Sequence, residues 1–277
     1  MKKYLQLVNF EFNRIVKLFT VLLGITFVAQ MIGVVVQSRS YLNLANEKMY
    51  KEMMPQAEFL ESFGQMSFLQ IAKSSWFFGP IALCVAGVAF YIFFIWYRDW
   101  IGKNTFIYRL LMLPTSRLNI FFAKITTILL MTFGFVAVQL IMIPIEIMVL
   151  KAMVPNEFRL DLGVMEVVTS IPELTLIFPS SIMEFIFNYG LGLLAVSVLF
   201  TGILFERSYK WKGILAGLLY GALAVVVLLL PLLLHEFVLN NFFYPIELLV
   251  LEIIMGLLVL SASIWVSGFL LKKKVTV

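Results

Sequence analysis

The chain has 277 residues, of which 62% are hydrophobic and 13% charged, with a formal net charge of +5. A soluble domain carries about 45–50% apolar and about 25% charged residues, and part of any compact chain must face water. These proportions exclude an ordinary water-soluble fold and call for helices that face lipid. One cysteine, Cys84, and one histidine, His235, exclude a disulfide framework and a Cys- or His-based metal centre.

Crossing a hydrocarbon layer of about 30 Å takes about 20 apolar residues in a helix. The sequence offers six such runs, predicted at 16–36, 77–97, 120–149, 182–205, 213–234 and 245–271. The expected fold is therefore an all-α, polytopic membrane protein built as a single transmembrane domain over 1–277. The first run is too long for a signal-peptide core, and no small-residue cleavage site follows it.

Ahead of the first span, Leu5, Val8, Phe12, Ile15 and Phe19 recur at helical steps, with Lys2, Gln6, Asn9, Asn13 and Lys17 on the opposite face. That spacing predicts an N-terminal amphipathic helix lying in the membrane interface. The other reading is an extension of the first span packed on its neighbours. Between the first two spans, residues 42–63 read as helix with a break at Pro55. The connection 151–181 carries Pro155, Pro172 and Pro179 and mostly acidic charge. Ser181 followed by Glu184 predicts a capping box opening the fourth span.

Lys and Arg set the orientation of the spans. Lys2, Lys3, Arg14, Lys17, Arg98, Lys103, Arg109, Arg117, Lys124, Arg207, Lys210, Lys212 and Lys272 to Lys274 fall on one side, against only Glu11, Asp99 and Glu206. Both termini are expected in the cytoplasm of a multi-pass cell-membrane protein. Trp76, Trp96, Trp100 and Trp211 lie near predicted interfaces and read as aromatic belt anchors.

The connection YRDWIGKNTFIYRLLMLPTSRLNIFFAK, from Tyr97 to Lys124, carries the most information. Gly102 and Asn104 punctuate a turn. Residues 105–113 read as a short helix stopped by Pro114, and Thr115 or Ser116 is placed to cap the helix that becomes the third span. A short helix held between two long ones can transmit rigid-body motion from a bound cytoplasmic partner to the spans. A simple topology-setting loop explains the charge but not the helix-proline-helix pattern.

This segment resembles the intracellular loop of ABC-2 type permeases, in which an apolar helix ending in Leu-Pro-x-Ser-Arg precedes a lysine at the next span. Leu113, Pro114, Ser116, Arg117 and Lys124 stand at the matching positions. The six-span layout, inside termini and amphipathic N-terminal helix look like that family too. The resemblance implies a cytoplasmic coupling helix docking on a separate ABC ATPase subunit, with Arg98, Lys103, Tyr108, Arg109, Leu113, Pro114, Ser116 and Arg117 at the contact. It implies a second permease chain, identical or related, and places ATP and Mg on the partner subunit, with no cofactor in this chain. Membrane lipid is the remaining expected partner, and no nucleic acid is. The short connection 235–244 departs from a large re-entrant element, and 37–76 is the better place for an outer cap.

Ionisable groups at membrane depth are functional candidates by default. Glu252 lies about two turns into the sixth span, Glu146 follows Pro144 in the third with Lys151 as a loose partner, and Asn188 lies in the fourth. These three are the candidate substrate-pathway residues, though Asn188 reads more readily as a helix-helix hydrogen bonder than as a ligand contact, and Glu252 reads equally as an outer-interface residue if the span starts later than Pro245. His235 reads as an interfacial residue. The expected function is the membrane subunit of an ATP-driven exporter of peptides, lipids or amphiphilic toxins, itself not an enzyme. An ion-driven secondary transporter would be expected to show repeated halves and broken helices. An intramembrane enzyme would need a gathered nucleophile and base, or metal ligands.

Overall fold

A computed structural model describes residues 2–101, 106–238 and 242–274 of the chain. In chain order, α1 (Lys2–Asn46) runs on through a π-helical turn (Glu47–Lys51). The first long connection holds α2 (Gln56–Phe63), strand β1 (Met66–Ser67) and α3 (Phe68–Ala72). There follow α4 (Ser75–Trp100), the short α5 (Phe106–Leu111) and α6 (Leu118–Met153). The second long connection contains a 3-10 turn (Asn156–Phe158), strand β2 (Arg159–Leu160), α7 (Val164–Thr169) and α8 (Pro172–Ile177). The chain closes with α9 (Ile182–Tyr209), α10 (Trp211–Phe237) and α11 (Pro245–Lys273). Among the described residues, α1, α4, α6, α9, α10 and α11 are the six helices long and apolar enough to cross a membrane.

Each of the six predicted apolar runs lies in one helix at least as long as the run. The N-terminal segment is not a separate interfacial helix. It is the start of α1, and Val8, Glu11, Ile15, Leu22, Thr26, Gln30, Val34 and Ser38 form one buried stripe along that helix. Periodicity had located the face correctly at Val8 and Ile15. What covers it is protein: Glu11 is 1% exposed, and its carboxylate accepts from Lys124 of α6 and Arg98 of α4.

Packing gathers the chain into two compact units. The first comprises 1–14, 89–130 and 181–277. Its α9 and α10 meet backbone to backbone, and glycine is what allows it. A Cβ on Gly217 would lie 3.0 Å from the Gly202 carbonyl oxygen and 3.2 Å from its Cα, and one on Gly213 would collide with the Phe205 carbonyl. Lys210, with φ of 55°, makes the turn between the two helices. On α11, Ser263 and Ser267 are fully buried, and Thr201 of α9 meets the Ser267 hydroxyl at 2.9 Å. Tyr220 of α10 reaches the Ser263 hydroxyl at 2.7 Å. Small and hydroxylated residues at such crossings let apolar helices approach where lipid supplies no hydrophobic drive.

The second unit comprises 15–88 and 131–180. Its core joins Val34 of α1, Phe77 of α4 and Ile143 and Ile147 of α6 to Phe68, Ile71, Val167, Ile171 and Leu174 from the two long connections. Those connections are tied by a parallel pair of two-residue strands, Met66 opposite Arg159 and Ser67 opposite Leu160. Phe59 packs edge-on to Phe158 at 6.3 Å, and Gln56 donates to the Glu157 carboxylate at 3.1 Å. The predicted break at Pro55 is present, with that residue standing as the N-cap of α2. Ser181 accepts from the Glu184 amide at 3.2 Å, the first half of the expected capping box.

Candidate functional site: a short helix on a buried charge cluster

In the first unit, α5 begins at Phe106 and stops at Leu111, two residues closer to its start than the expected Leu113. The chain then turns through Met112 to Arg117, where Pro114 removes an amide donor, and the Asn119 amide restarts helical bonding on the Ser116 carbonyl at 2.9 Å. Ile107, Leu110 and Leu111 are buried, whereas Tyr108, Arg109, Met112, Leu113 and Pro114 are exposed. The helix is thus anchored by one face and presents a mixed apolar and basic face.

Its anchor leads to the feature that sequence reasoning missed. The Phe106 ring stacks on Phe10 of α1 at 5.5 Å, and the Arg14 guanidinium lies 5.2 Å from both ring centres. Arg14 also donates to Asp99 of α4 at 2.7 Å. Asp99 accepts at 2.5 Å from Lys124 of α6, and Lys124 donates to Glu11 of α1 at 2.8 Å and to the Ile95 carbonyl at 2.9 Å. Arg98 completes the set, donating to Glu11 at 2.8 Å. Lys124 and Asp99 are 0% exposed and Glu11 is 1% exposed. An ammonium has three donors, and all three of Lys124 are used.

Two carboxylates and three cations therefore lock α1, α4 and α6 together behind α5. Buried pairs repay their desolvation only when geometry is good and remaining valences are met, which holds here at Lys124. Further ties surround the cluster. Lys3 donates to the Pro114 carbonyl at 3.0 Å, and Arg117 donates to the Leu271 carbonyl at the end of α11 at 2.6 Å. Tyr97 of α4 donates to Glu206 of α9, and the Arg207 guanidinium stacks over Tyr97 at 4.6 Å.

Of the eight expected coupling residues, Tyr108, Arg109, Leu113, Pro114 and Ser116 are at the surface. Lys103, like the turn at Gly102 and Asn104, lies outside the described residues. Arg98 and Arg117 are turned inward, onto Glu11 and the α11 carbonyls respectively, so they brace the loop from within. Lys124 is interior and does not face headgroups. Trp96 is a further correction: it is 0% exposed and edge-on to Phe200 at 5.6 Å, so it packs inside the chain and does not anchor at an interface. A signal for the cluster was available. Glu11, Asp99 and Glu206 are the acids on an otherwise basic side, and each is held by cations or a phenol.

The pathway candidates are not gathered into one site. Glu146 is 0% exposed in the second unit, flanked in α6 by the core residues Ile143 and Ile147, and neither carboxylate oxygen has a hydrogen-bond partner. Lys151 is not its partner but lies 3.4 Å from Asp161, whose carboxyl is held below the usual range by the hydrogen bond from Arg159. Glu252 lines a cavity of about 280 Å³ in the first unit, between α9, α10 and α11. Asn188 is half-buried on α9 and does not line that cavity. His235 accepts from the Phe243 amide at 3.3 Å, joining the end of α10 to the start of α11. Among the described residues, no group of three or more metal-ligating side chains is present. Compared with family models, curated proteins and solved structures, the chain matches none.

Proposed function

We propose that the chain is the membrane subunit of an ATP-driven exporter, with α5 as the element on which a cytoplasmic ATPase subunit docks. One observation carries this reading: a short helix that exposes Tyr108, Arg109, Met112 and Leu113 is fastened through Phe106 and Arg14 to a buried cluster shared by three membrane-length helices. Force applied to the exposed face passes to α1, α4 and α6 together, because Glu11, Asp99 and Lys124 tie the three helices by ion pairs. A partner that binds one arrangement of these helices better than another shifts the balance between them. On this reading the basic ends, with both termini, face the cytoplasm of the cell membrane. ATP and Mg are bound by the partner, and a second permease chain completes the pathway.

The test is purification of the chain with the ATPase subunits encoded beside it, measuring co-elution and ATP hydrolysis. Arg109→Glu reverses charge on the exposed face without touching the buried cluster. We expect it to weaken partner binding at least about tenfold, the scale of one lost charged contact at an interface. No co-eluting ATPase, or a fully active complex of the variant, overturns the reading. The partnerless Glu146 favours the alternative of ion-driven transport. That alternative predicts substrate movement by the chain alone under an ion gradient, with no ATPase present.

A further inference from the structure

We propose that the cavity between α9, α10 and α11 binds a single-chain amphiphilic cation, an alkylammonium, with its tail in the apolar pocket and its charged head on Glu252. The cavity, about 280 Å³, is lined by Ile186 and Leu194 of α9, Leu228 of α10, and Glu252, Gly256 and Leu257 of α11. Small-molecule pockets run from roughly 300 to 1,000 Å³, so this one accommodates one slender chain and not a two-tailed lipid. Every lining residue except Glu252 is apolar or glycine, which suits an alkyl tail.

Glu252 supplies the selectivity. It lies about two turns into α11, half-buried, and no ion pair or hydrogen bond to it exists among the described residues. The contrast with Glu11 and Asp99, each met by cations in the same unit, is direct. A carboxylate at such depth without a counter-charge is costly, and a ligand cation placed beside it relieves that cost. A neutral tail gains only the apolar contact, and an anionic head meets repulsion. Gly256 shapes the pocket floor. A Cβ there would sit in ordinary contact, 3.6 Å from Leu194 Cδ1 and 3.8 Å from Leu228 Cδ1, so a longer side chain would fill the space with no backbone collision. As a statement about cargo this rests on the export reading, but the binding itself needs no ATPase.

The experiment places the full chain in lipid discs of phosphatidylcholine and labels it with three probes: a dodecylammonium, a dodecanol and a dodecanoate, each carrying the same chain diazirine. Cross-links are mapped by mass spectrometry. We expect the ammonium to label α9–α11 lining residues about tenfold more than the dodecanoate. Glu252→Gln should erase that preference while retaining labelling by the alcohol. Gly256→Leu should abolish lining labels from all three. Equal labelling by the three probes, or a preference that survives in Glu252→Gln, overturns the proposal. So does displacement of the ammonium probe by phosphatidylethanolamine added to the discs, which would assign the pocket to a membrane lipid. Because no ATPase is present, failure here leaves the α5 reading standing, and failure of ATPase co-purification leaves this one standing.

Discussion

At the scale of single residues, Lys124 is the one on which most depends. Its ammonium is shared by Glu11 and Asp99, so Lys124→Met would strand two carboxylates out of water with only Arg14 and Arg98 remaining. Breaking a buried ion pair from one side costs about 3–5 kcal/mol. We expect a clear fall in the thermal unfolding midpoint of the purified chain, while Arg109→Glu, which alters only an exposed group, leaves it unchanged. Adding Glu11→Gln and Asp99→Asn to Lys124→Met removes the stranded charges and should recover part of the loss, the coupling expected of residues in one network. An unchanged midpoint for Lys124→Met alone would show that the cluster contributes nothing to stability. The sequence marks Glu11 and Asp99 as acids on a basic side, but not which cations they meet. Positions 11, 99 and 124 are brought together only by helix packing, and the positive-inside argument counts cations without asking what the few acids beside them hold.

At the scale of elements, the six helices were readable because lipid demands a long apolar run whatever the neighbours are, and the end of α5 was readable because Pro114 disfavours helix at the residue before it. The N-terminal part of α1 was harder for a physical reason. An amphipathic stripe has the same period whether lipid headgroups or another helix covers it, and only Glu11 on the buried face decides. The strand pair β1–β2 left no mark, since two-residue strands carry no alternation to detect. The α9–α10 crossing left no such mark, because nothing in the sequence pairs Gly217 with Gly202. Gly217→Val tests the crossing. The new side chain must push aside the Gly202 backbone, which cannot rotate away as a side chain would. Overpacking of this kind costs about 1–3 kcal/mol, and we expect a lower unfolding midpoint. Gly221→Val, whose Cβ meets nothing within 4 Å, should be tolerated. Equal effects of the two would mean that helix propensity, and not the close approach, governs this hairpin.

For the whole molecule, the proposed function depends on which way the chain faces. α5 docks an ATPase only if it lies in the compartment that holds ATP. The proposed reading takes that orientation from the positive-inside rule, with the two long connections expected outside. The structure allows a test at sites away from both the cluster and the cavity. In a Cys84→Ala background, single cysteines at Glu58 and Glu166, both exposed on the long connections, should react with a membrane-impermeant maleimide on intact cells. Cysteines at Lys2 and Lys212, exposed at the basic ends, should react only after the membrane is opened. The four sites are read together, because a mixed pattern would mean that one of α1, α4, α6 and α9 does not cross. The reverse pattern would put Arg109 outside the cell, where no ATPase subunit could meet it, and the export reading would fall with no transport assay required. The alkylammonium pocket would survive that result. Its chemistry depends on Glu252 and the apolar lining, not on which compartment the helix ends face, and this separates the two proposals at the scale of the whole chain.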